Sequence, residues 1–296
     1  MSKIESVNVK KVFKVKTEGN EFDEVPALGG VNLAIDKGEF MVIVGPSGCG
    51  KSTFLDLVSG LTLPDEGTVS IDGKPVTGPG LDRAIVFQQN ALFPWRTALE
   101  NVEFGLESIN SDASAREEIA LDYLSLVGLS GYQKHYPHQL SGGMKQRVSI
   151  ARALALNPDI LLMDEPLAAL DAQTREFLQR DILRISKESH KTVLFITHSI
   201  DEAVFLGDKV AVMSARPGVI KQVLDIPLTA EERFEADVAA TQGFVEARHA
   251  LWELLKEEVV KVQEAQARST AQAISKSPAQ NSGNGLINAL RVLTRI

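Results

Sequence analysis

"FMVIVGPSGCGKST", residues 40–53, joins a short apolar run to a glycine-rich segment that ends in Lys-Ser-Thr. An uncharged run of this length is typical of a buried strand, and the residues that follow, "TFLDLVSGL", have helical spacing. Between the two, "GPSGCGKST" fits the pattern G-x-x-x-x-G-K-[ST], whose backbone amides cradle phosphate oxygens. The stretch therefore predicts a strand, a phosphate-binding loop and a helix, in that order.

The loop itself predicts which residues bind a nucleotide. Glycines let backbone N–H groups converge on a phosphate, and the following helix adds its positive end. We expect Lys51 to reach the β- and γ-phosphates and Ser52 to hold Mg²⁺. Cys49 is expected to fill space and not to act as a nucleophile. The predicted contacts are Gly45, Pro46, Ser47, Gly48, Cys49, Gly50, Lys51, Ser52 and Thr53.

Further apolar runs indicate the fold class. Strand-like runs recur at 40–44, 84–87, 160–163, 193–196 and 210–213, and they alternate with stretches of helical spacing such as 114–127 and 143–156. This alternation favours an α/β fold with a parallel sheet covered by helices. Residues from about 90 to 155 contain no convincing strand, so we expect a helical subdomain inserted there.

Composition narrows the function classes. A hydrophobic fraction of 44% is ample for a core, and a net charge of −8 gives no general attraction for nucleic acid. The single cysteine excludes an internal disulfide and a structural zinc cluster. The N-terminus carries no secretory signal, and nowhere do apolar residues run long enough to span a bilayer. We expect an intracellular protein that relies on another chain for any membrane-spanning part.

"DILLMDEP", residues 159–166, places two carboxylates at the exit of a buried strand. Adjacent carboxylates repel each other, so a bound cation is a natural occupant. By the pattern of nucleotide hydrolases with this loop, Asp164 holds Mg²⁺ and Glu165 deprotonates the attacking water. Two solvated acids at a strand end are the alternative, which the nearby phosphate-binding loop disfavours.

"LSGGMKQRVSIARAL", residues 140–154, opens a helix with a second glycine pair. Together with the loop and the acidic strand end, it resembles the ABC transporter ATPases over residues 1 to about 228. The resemblance implies an α/β P-loop NTPase of the ABC type, with a mostly parallel sheet core, a helical subdomain at about 90–155 and a C-terminal helical extension. We predict an ABC ATPase domain at 1–228 and the extension at 229–263.

The same resemblance implies further site residues. Ser141, Gly142 and Gly143 would contact the ATP held by a second ATPase subunit, identical or homologous, so that two ATP molecules join two chains. A helix that merely begins with a serine cap is the simpler alternative. The resemblance also assigns Gln88, with Gln89 as the weaker candidate, to sensing Mg²⁺, Asp171 to the dimer interface, and His198 to the γ-phosphate. Phe13 is the predicted partner of adenine, with Phe22 as its rival.

Pro94, Trp95 and Arg96 follow Gln88 and look like the importer subfamily for nitrate, taurine, aliphatic sulfonates and related small anions. In that subfamily this surface contacts the membrane permease subunits, and Trp95 suits an anchor there. A tryptophan in the core of the helical subdomain is an equal alternative. The resemblance thus implies a peripheral subunit at the cytoplasmic face of the inner membrane, coupled indirectly to an extracytoplasmic solute-binding protein.

The sequence of the C-terminal part of the chain is less informative about structure. Residues 244–263 have helical periodicity, whereas 264–285 are rich in Gln, Ser, Ala, Asn and Gly and predict a low-complexity tail. The last eleven residues, "LINALRVLTRI", regain apolar spacing, which suggests either a docking segment or a loose end.

The sequence therefore predicts an ATP-hydrolysing subunit that energises uptake of a small anion, with ATP and Mg²⁺ as its ligands. A soluble ABC ATPase acting on nucleic acid or ribosomes is the alternative. It is disfavoured because the chain has neither two ATPase domains nor a long coiled-coil insertion, and we expect no nucleic-acid partner.

Overall fold

A computed structural model describes residues 2–16, 22–109, 112–235 and 237–276 of the chain. Its strands are β1 (Ser2–Lys16), β2 (Phe22–Asp36), β3 (Phe40–Val44), β4 (Glu66–Ile71), β5 (Lys74–Pro75), β6 (Arg83–Val86), β7 (Ile160–Asp164), β8 (Thr192–Thr197), β9 (Lys209–Met213) and β10 (Ile220–Asp225). Its helices are α1 (Lys51–Ser59), α2 (Ala98–Leu106), α3 (Ala113–Leu126), α4 (Gly142–Ala155), α5 (Ala172–Ser189), α6 (Ile200–Leu206), α7 (Ala230–Arg233) and α8 (Gln242–Lys276).

The larger sheet carries the phosphate-binding loop. It has six strands in the order β10-β9-β3-β8-β7-β6, and all neighbours are parallel except the edge pair β10 and β9. Each of the five predicted runs is a strand of this sheet, with end points shifted by at most one residue. Strands β3 and β8 are buried along their whole length, which explains why continuous apolar runs revealed them. The α/β prediction is confirmed.

A second sheet was missed by the sequence analysis. Strands β2, β1, β4 and β5 form it in that order, and every pair is antiparallel. Only one face of these strands is buried, with Ile4, Val9, Val31 and Ile35 in the core and polar residues between them. Such strands alternate in polarity and contain no apolar run, so a search for runs overlooks them.

The helices α2, α3 and α4 lie between β6 and β7. Residues such as Val102, Leu124 and Val148 pack them together and join them to the main core beneath the sheet. Thr97 begins α2 with a capping box, in which its side chain accepts from the Glu100 amide while the Glu100 carboxylate accepts from the Thr97 amide. The described part of residues 87–159 contains no strand.

The C-terminal part of the chain divides after Glu258 into a second compact unit. In the first unit, α8 buries Phe244, Leu251 and Leu255 in the core. The buried guanidinium of Arg233, at the end of α7, donates hydrogen bonds to the carbonyls of Val204, Phe205 and Gly207, at the end of α6. Such a cation satisfies carbonyls that a helix end leaves without partners.

In the second unit, the described residues 259–276 are helical. The helix therefore occupies 264–276, which were predicted as part of a low-complexity tail. The reason is composition, because this segment is rich in Ala, Gln and other good helix formers, and its first proline, Pro278, comes later. Residues 286–296, predicted as an amphipathic segment, lie outside the described residues. No helix in the described parts of the chain is long and apolar enough to cross a bilayer.

Candidate functional site

The phosphate-binding loop lies between β3 and α1. Gly48 and Gly50 have φ values of 75° and 109°, a region of backbone conformation that favours glycine. A Cβ atom on Gly50 would also lie 2.8 Å from the Ala27 carbonyl oxygen in β2. Gly50 begins α1 without any side-chain cap, so the amides of the first helical turn remain available to a ligand.

Lys51 is held inside this loop. Its side chain is buried, and its Nζ donates hydrogen bonds to the carbonyl oxygens of Gly45, at 2.9 Å, and Pro46, at 3.1 Å. Burial raises the pKa of the neighbouring Cys49 thiol, so the sulfur stays protonated and packs as an apolar group.

A cleft of about 310 Å³ opens above the loop. Its wall combines the loop and α1 with one residue from β2, one acidic residue after β7 and one arginine after β9. The lining residues are Ala27, Ser47, Gly48, Gly50, Lys51, Ser52, Thr53, Glu165 and Arg216.

Two oxygen ligands meet at the edge of this cleft. Ser52 Oγ donates to Asp164 Oδ1 at 3.1 Å. Burial raises the pKa of Asp164, the Ser52 hydrogen bond lowers it, and the charge of Glu165 raises it further. A cation would relieve this repulsion, and a hydroxyl beside a carboxylate is a donor set that suits Mg²⁺. The described residues contain no group of three or more His, Cys, Asp or Glu side chains that could hold a metal ion.

Glu165, which directly follows β7, contacts the segment after β6 and the end of β8. Its amide donates to the Ile196 carbonyl at 3.0 Å, and its φ of 44° is unusual for a residue with a side chain. Its Oε2 accepts from Gln88 Nε2 at 3.4 Å and lies 3.3 Å from Nδ1 of His198. The structure thus brings together Gln88, Glu165 and His198, which stand far apart in the sequence.

The two glycines of the second pair have different surroundings within the chain. Ser141 caps α4 by accepting from the Met144 amide at 3.3 Å. A Cβ atom built on Gly143 would overlap the methyl group of Thr174 in α5, so this glycine is required by packing within the chain. A Cβ atom on Gly142 would meet nothing closer than Leu170 Cδ2, at 3.8 Å. Packing therefore accounts for Gly143 and leaves Gly142 without an internal reason.

Asp171 begins α5, beside the second glycine pair. Its Oδ1 accepts a hydrogen bond from the Thr174 amide at 3.0 Å, and this bond lowers the pKa of Asp171. Asp171 is therefore a helix cap in the single chain, and its predicted place at a dimer interface stays a prediction.

The predicted adenine partners lie in the long antiparallel strands. Phe13 in β1 is 40% exposed and Phe22 in β2 is 62% exposed. Neither is among the residues that line the cleft. The assignment of Phe13 to adenine therefore stays a prediction.

Trp95 is 71% exposed, which rules out the alternative that it belongs to the core of the helical subdomain. Its ring packs at a tilt against that of Phe93, with centroids 5.6 Å apart, and the Phe93 and Phe104 centroids are 4.5 Å apart. The guanidinium of Arg96 lies 5.0 Å from the Phe104 ring and bonds to Glu107. Residues 93–96 and Phe104 thus form an exposed aromatic surface, held in place by Arg96.

No sequence pattern predicted two of the residues that shape the site. Arg216, in the turn after β9, belongs to no phosphate-binding motif and enters the cleft only through the fold. The methyl group of Thr174 leaves no room for a side chain at residue 143, but no sequence pattern shows that the two positions are in contact. The turn "SARPG", residues 214–218, is a local signal for a bend and says nothing about a ligand.

Comparison with known proteins gives one consistent result. The family model described as ABC transporter matches residues 28–168. A nitrate import ATP-binding protein of Synechocystis is 50% identical over 70% of this chain and 78% of its own length. A taurine import ATP-binding protein of Pelagibacter ubique is 42% identical over 85% of this chain and 94% of its own length.

A solved dimeric ATP-binding cassette in a post-hydrolysis state, bound to ADP and phosphate, is 37% identical, with a TM-score of 0.67. The match covers 76% of this chain and 100% of that one. The loop, the acidic strand end and these likenesses agree, and the chain belongs to the ABC transporter family, as one of its ATP-binding cassettes.

Proposed function

We propose that this chain is the ATP-hydrolysing subunit of an importer for a small anion and drives transport through separate membrane subunits. The observation that carries the proposal is the meeting of Lys51, Ser52, Asp164, Glu165 and His198 around one cleft. A protein that only bound nucleotide would need the loop but not the carboxylate pair and the histidine.

Within the cleft, Lys51 and the amides of the loop bind the phosphate chain. Asp164 and Ser52 would hold Mg²⁺, which would neutralise charge on the phosphates. Glu165 orients and deprotonates the attacking water, because its carboxylate lies at the cleft wall with two polar neighbours. Gln88 and His198 fix the position of that carboxylate, and His198 is suited to contact the γ-phosphate.

The second glycine pair acts on a partner. We propose that Ser141, Gly142 and Gly143 cap the γ-phosphate of ATP bound to a second ATPase subunit, and that Asp171 lies at the same interface. Positive helix ends favour such an anion, and hydrolysis removes the group that joins the two chains. The dimeric state of the ADP-bound cassette described above supports this arrangement.

The membrane partner is proposed to bind the exposed aromatic surface at Pro94, Trp95 and Arg96. An exposed tryptophan beside further aromatic rings is a suitable anchor for an apolar helix. In this proposal the subunit lies at the cytoplasmic face of the membrane, and a solute-binding protein acts from the other side.

The solute class rests on the relatives alone, one named for nitrate import and one for taurine import. Both names favour an importer over a soluble ATPase that acts on nucleic acid or ribosomes. The solute itself would never touch this subunit.

Vesicles that contain the chain with its membrane subunits, with the solute-binding protein supplied outside, test the proposal. Enclosed ATP should drive uptake of labelled nitrate or taurine, and Glu165→Gln should stop it. Trp95→Ala should weaken assembly with the membrane subunits, whereas Trp252→Ala, at the other tryptophan, should not. Hydrolysis that is stimulated by RNA and indifferent to membrane subunits would overturn the proposal.

A further inference from the structure

Arg216 is a cation at the nucleotide cleft that no phosphate-binding motif accounts for. It faces a wall made largely of the phosphate-binding loop, namely Ser47, Gly48, Gly50 and Lys51. Within the described part of the chain, no carboxylate forms an ion pair with its guanidinium, whereas arginines elsewhere in the chain, such as Arg96, Arg147 and Arg184, each have one. An arginine without an anionic partner, beside a phosphate-binding loop, is poised for phosphate.

The turn that carries Arg216 is fixed against the loop. Its Nε donates to the Pro26 carbonyl at 3.1 Å, which leaves the two terminal nitrogens available. Gly218 donates to the Ala27 carbonyl at 2.9 Å, and a Cβ atom on Gly218 would collide with the Cys49 carbonyl oxygen. The turn is thus held between β2 and the phosphate-binding loop, so the guanidinium has a defined place.

The C-terminal helix contributes a second support. Glu258 in α8 is fully buried, and its Oε2 accepts from the Ala215 amide at 2.8 Å. Its Oε1 pairs with Lys221 at 2.9 Å. Because both oxygens of this buried carboxylate have a partner, its position is fixed. It therefore fixes the backbone of Ala215, the residue next to Arg216.

We propose that Arg216 binds the phosphate chain of the nucleotide beyond the α-phosphate, and that Glu258, through Ala215, positions it. Arg216 is then a binding residue and Glu258 a positioning residue, so the C-terminal extension takes part in nucleotide binding. The inference rests on the proposed function, because it requires ATP in the cleft.

Calorimetry of the full chain with Mg-ATP, Mg-ADP and AMP tests the role of Arg216. Arg216→Ala should weaken ATP binding by about tenfold, as expected for loss of a charged hydrogen bond, and AMP binding much less. The ATP affinity of Arg216→Lys should lie between those of Arg216→Ala and the wild type, because lysine keeps the positive charge but lacks the paired N–H donors of a guanidinium. Arg184→Ala, which removes an exposed arginine on α5, is the matched control and should bind ATP like the wild type.

Equal ATP affinity of Arg216→Ala and the wild type would overturn the inference while leaving the proposed function intact. A wild-type chain that does not bind Mg-ATP would overturn both. An equal loss for AMP and ATP would overturn the inference, because AMP lacks the β- and γ-phosphates and a contact with them cannot affect its binding.

The positioning role is tested by a pair of Glu258 variants. Glu258→Gln keeps an oxygen acceptor for the Ala215 amide and should bind ATP within about twofold of the wild type, whereas Glu258→Leu should lose affinity. Adding Glu258→Leu to Arg216→Ala should cause no further loss. Leu251→Ala destabilises the same helix without touching this turn and serves as the control. If the two Glu258 variants behave alike, or if the double variant is additive, Glu258 does not act through Arg216.

Discussion

At the scale of single residues, Glu165 combines a chemical role with an unusual backbone. Its φ of 44° turns the chain sharply after β7, and this turn directs its carboxylate toward Gln88 and His198. Non-glycine residues pay for such a conformation, so the position is held by its surroundings. The pattern "MDEP" predicted Glu165 as a site residue, but only the fold shows the direction of its carboxylate.

Glu165→Gln should keep ATP binding and lower turnover roughly 10²- to 10⁴-fold, because the amide cannot accept the proton of the attacking water. In size-exclusion chromatography with Mg-ATP, the variant should accumulate as a dimer. Glu176→Gln, at an exposed glutamate of α5, is the control and should turn over normally. A Glu165→Gln chain that hydrolyses ATP at the wild-type rate would remove the general-base assignment.

Asp164→Asn should raise the melting temperature of the unliganded, metal-free protein at about pH 8. Burial raises the pKa of Asp164, so its ionised form destabilises the folded state. This cost is present above the folded pKa and disappears as the pH falls below it, because the carboxyl is then protonated. In thermal scans at about pH 4, the melting temperature of Asp164→Asn should therefore exceed that of the wild type by less than at the higher pH. A variant that is less stable at the higher pH would contradict this prediction.

At the scale of elements, α4 and α5 meet at a glycine and a threonine. Gly143→Ala should lower the free energy of unfolding by about 1–3 kcal/mol, because its methyl group would overlap that of Thr174. Adding Thr174→Ser removes the opposing methyl and should restore most of the loss. Urea unfolding followed by circular dichroism measures both effects.

Gly142→Ala is the matched control for this contact. Its methyl group has room, so stability should stay close to that of the wild type. If Gly142 instead contacts ATP on a partner, the same variant should lose hydrolysis while remaining folded. Equal destabilisation by both alanine substitutions would mean that the Thr174 contact is not the cause.

Strands buried on both faces could be predicted from the sequence, and half-buried strands could not. Strands such as β3 and β8 are continuous apolar runs, and the loop after β3 matches a motif with a defined chemistry. The antiparallel strands alternate in polarity and were missed. Arg216 was missed for another reason, because its approach to the loop depends on its hydrogen bond to the Pro26 carbonyl and on that of the Ala215 amide to Glu258, which no local pattern encodes.

At the scale of the whole molecule, the part of α8 that belongs to the first compact unit contributes to its core. Leu251→Ala should lower the free energy of unfolding by about 2–5 kcal/mol, because the side chain is 0% exposed in the main cluster. Trp252→Ala, one residue later on the exposed face, should change it by less than about 0.5 kcal/mol. Chemical denaturation of both variants checks this, and equal losses would show that α8 does not bury Leu251.

The two tryptophans of the chain, Trp95 and Trp252, are 71% and 54% exposed. Consequently, the fluorescence of the folded protein should be centred at the long wavelengths of a hydrated indole. A Trp252→Phe variant would report from residue 95 alone, without any added dye. Titration with detergent-solubilised membrane subunits should then shift the emission to the blue and shield it from iodide quenching.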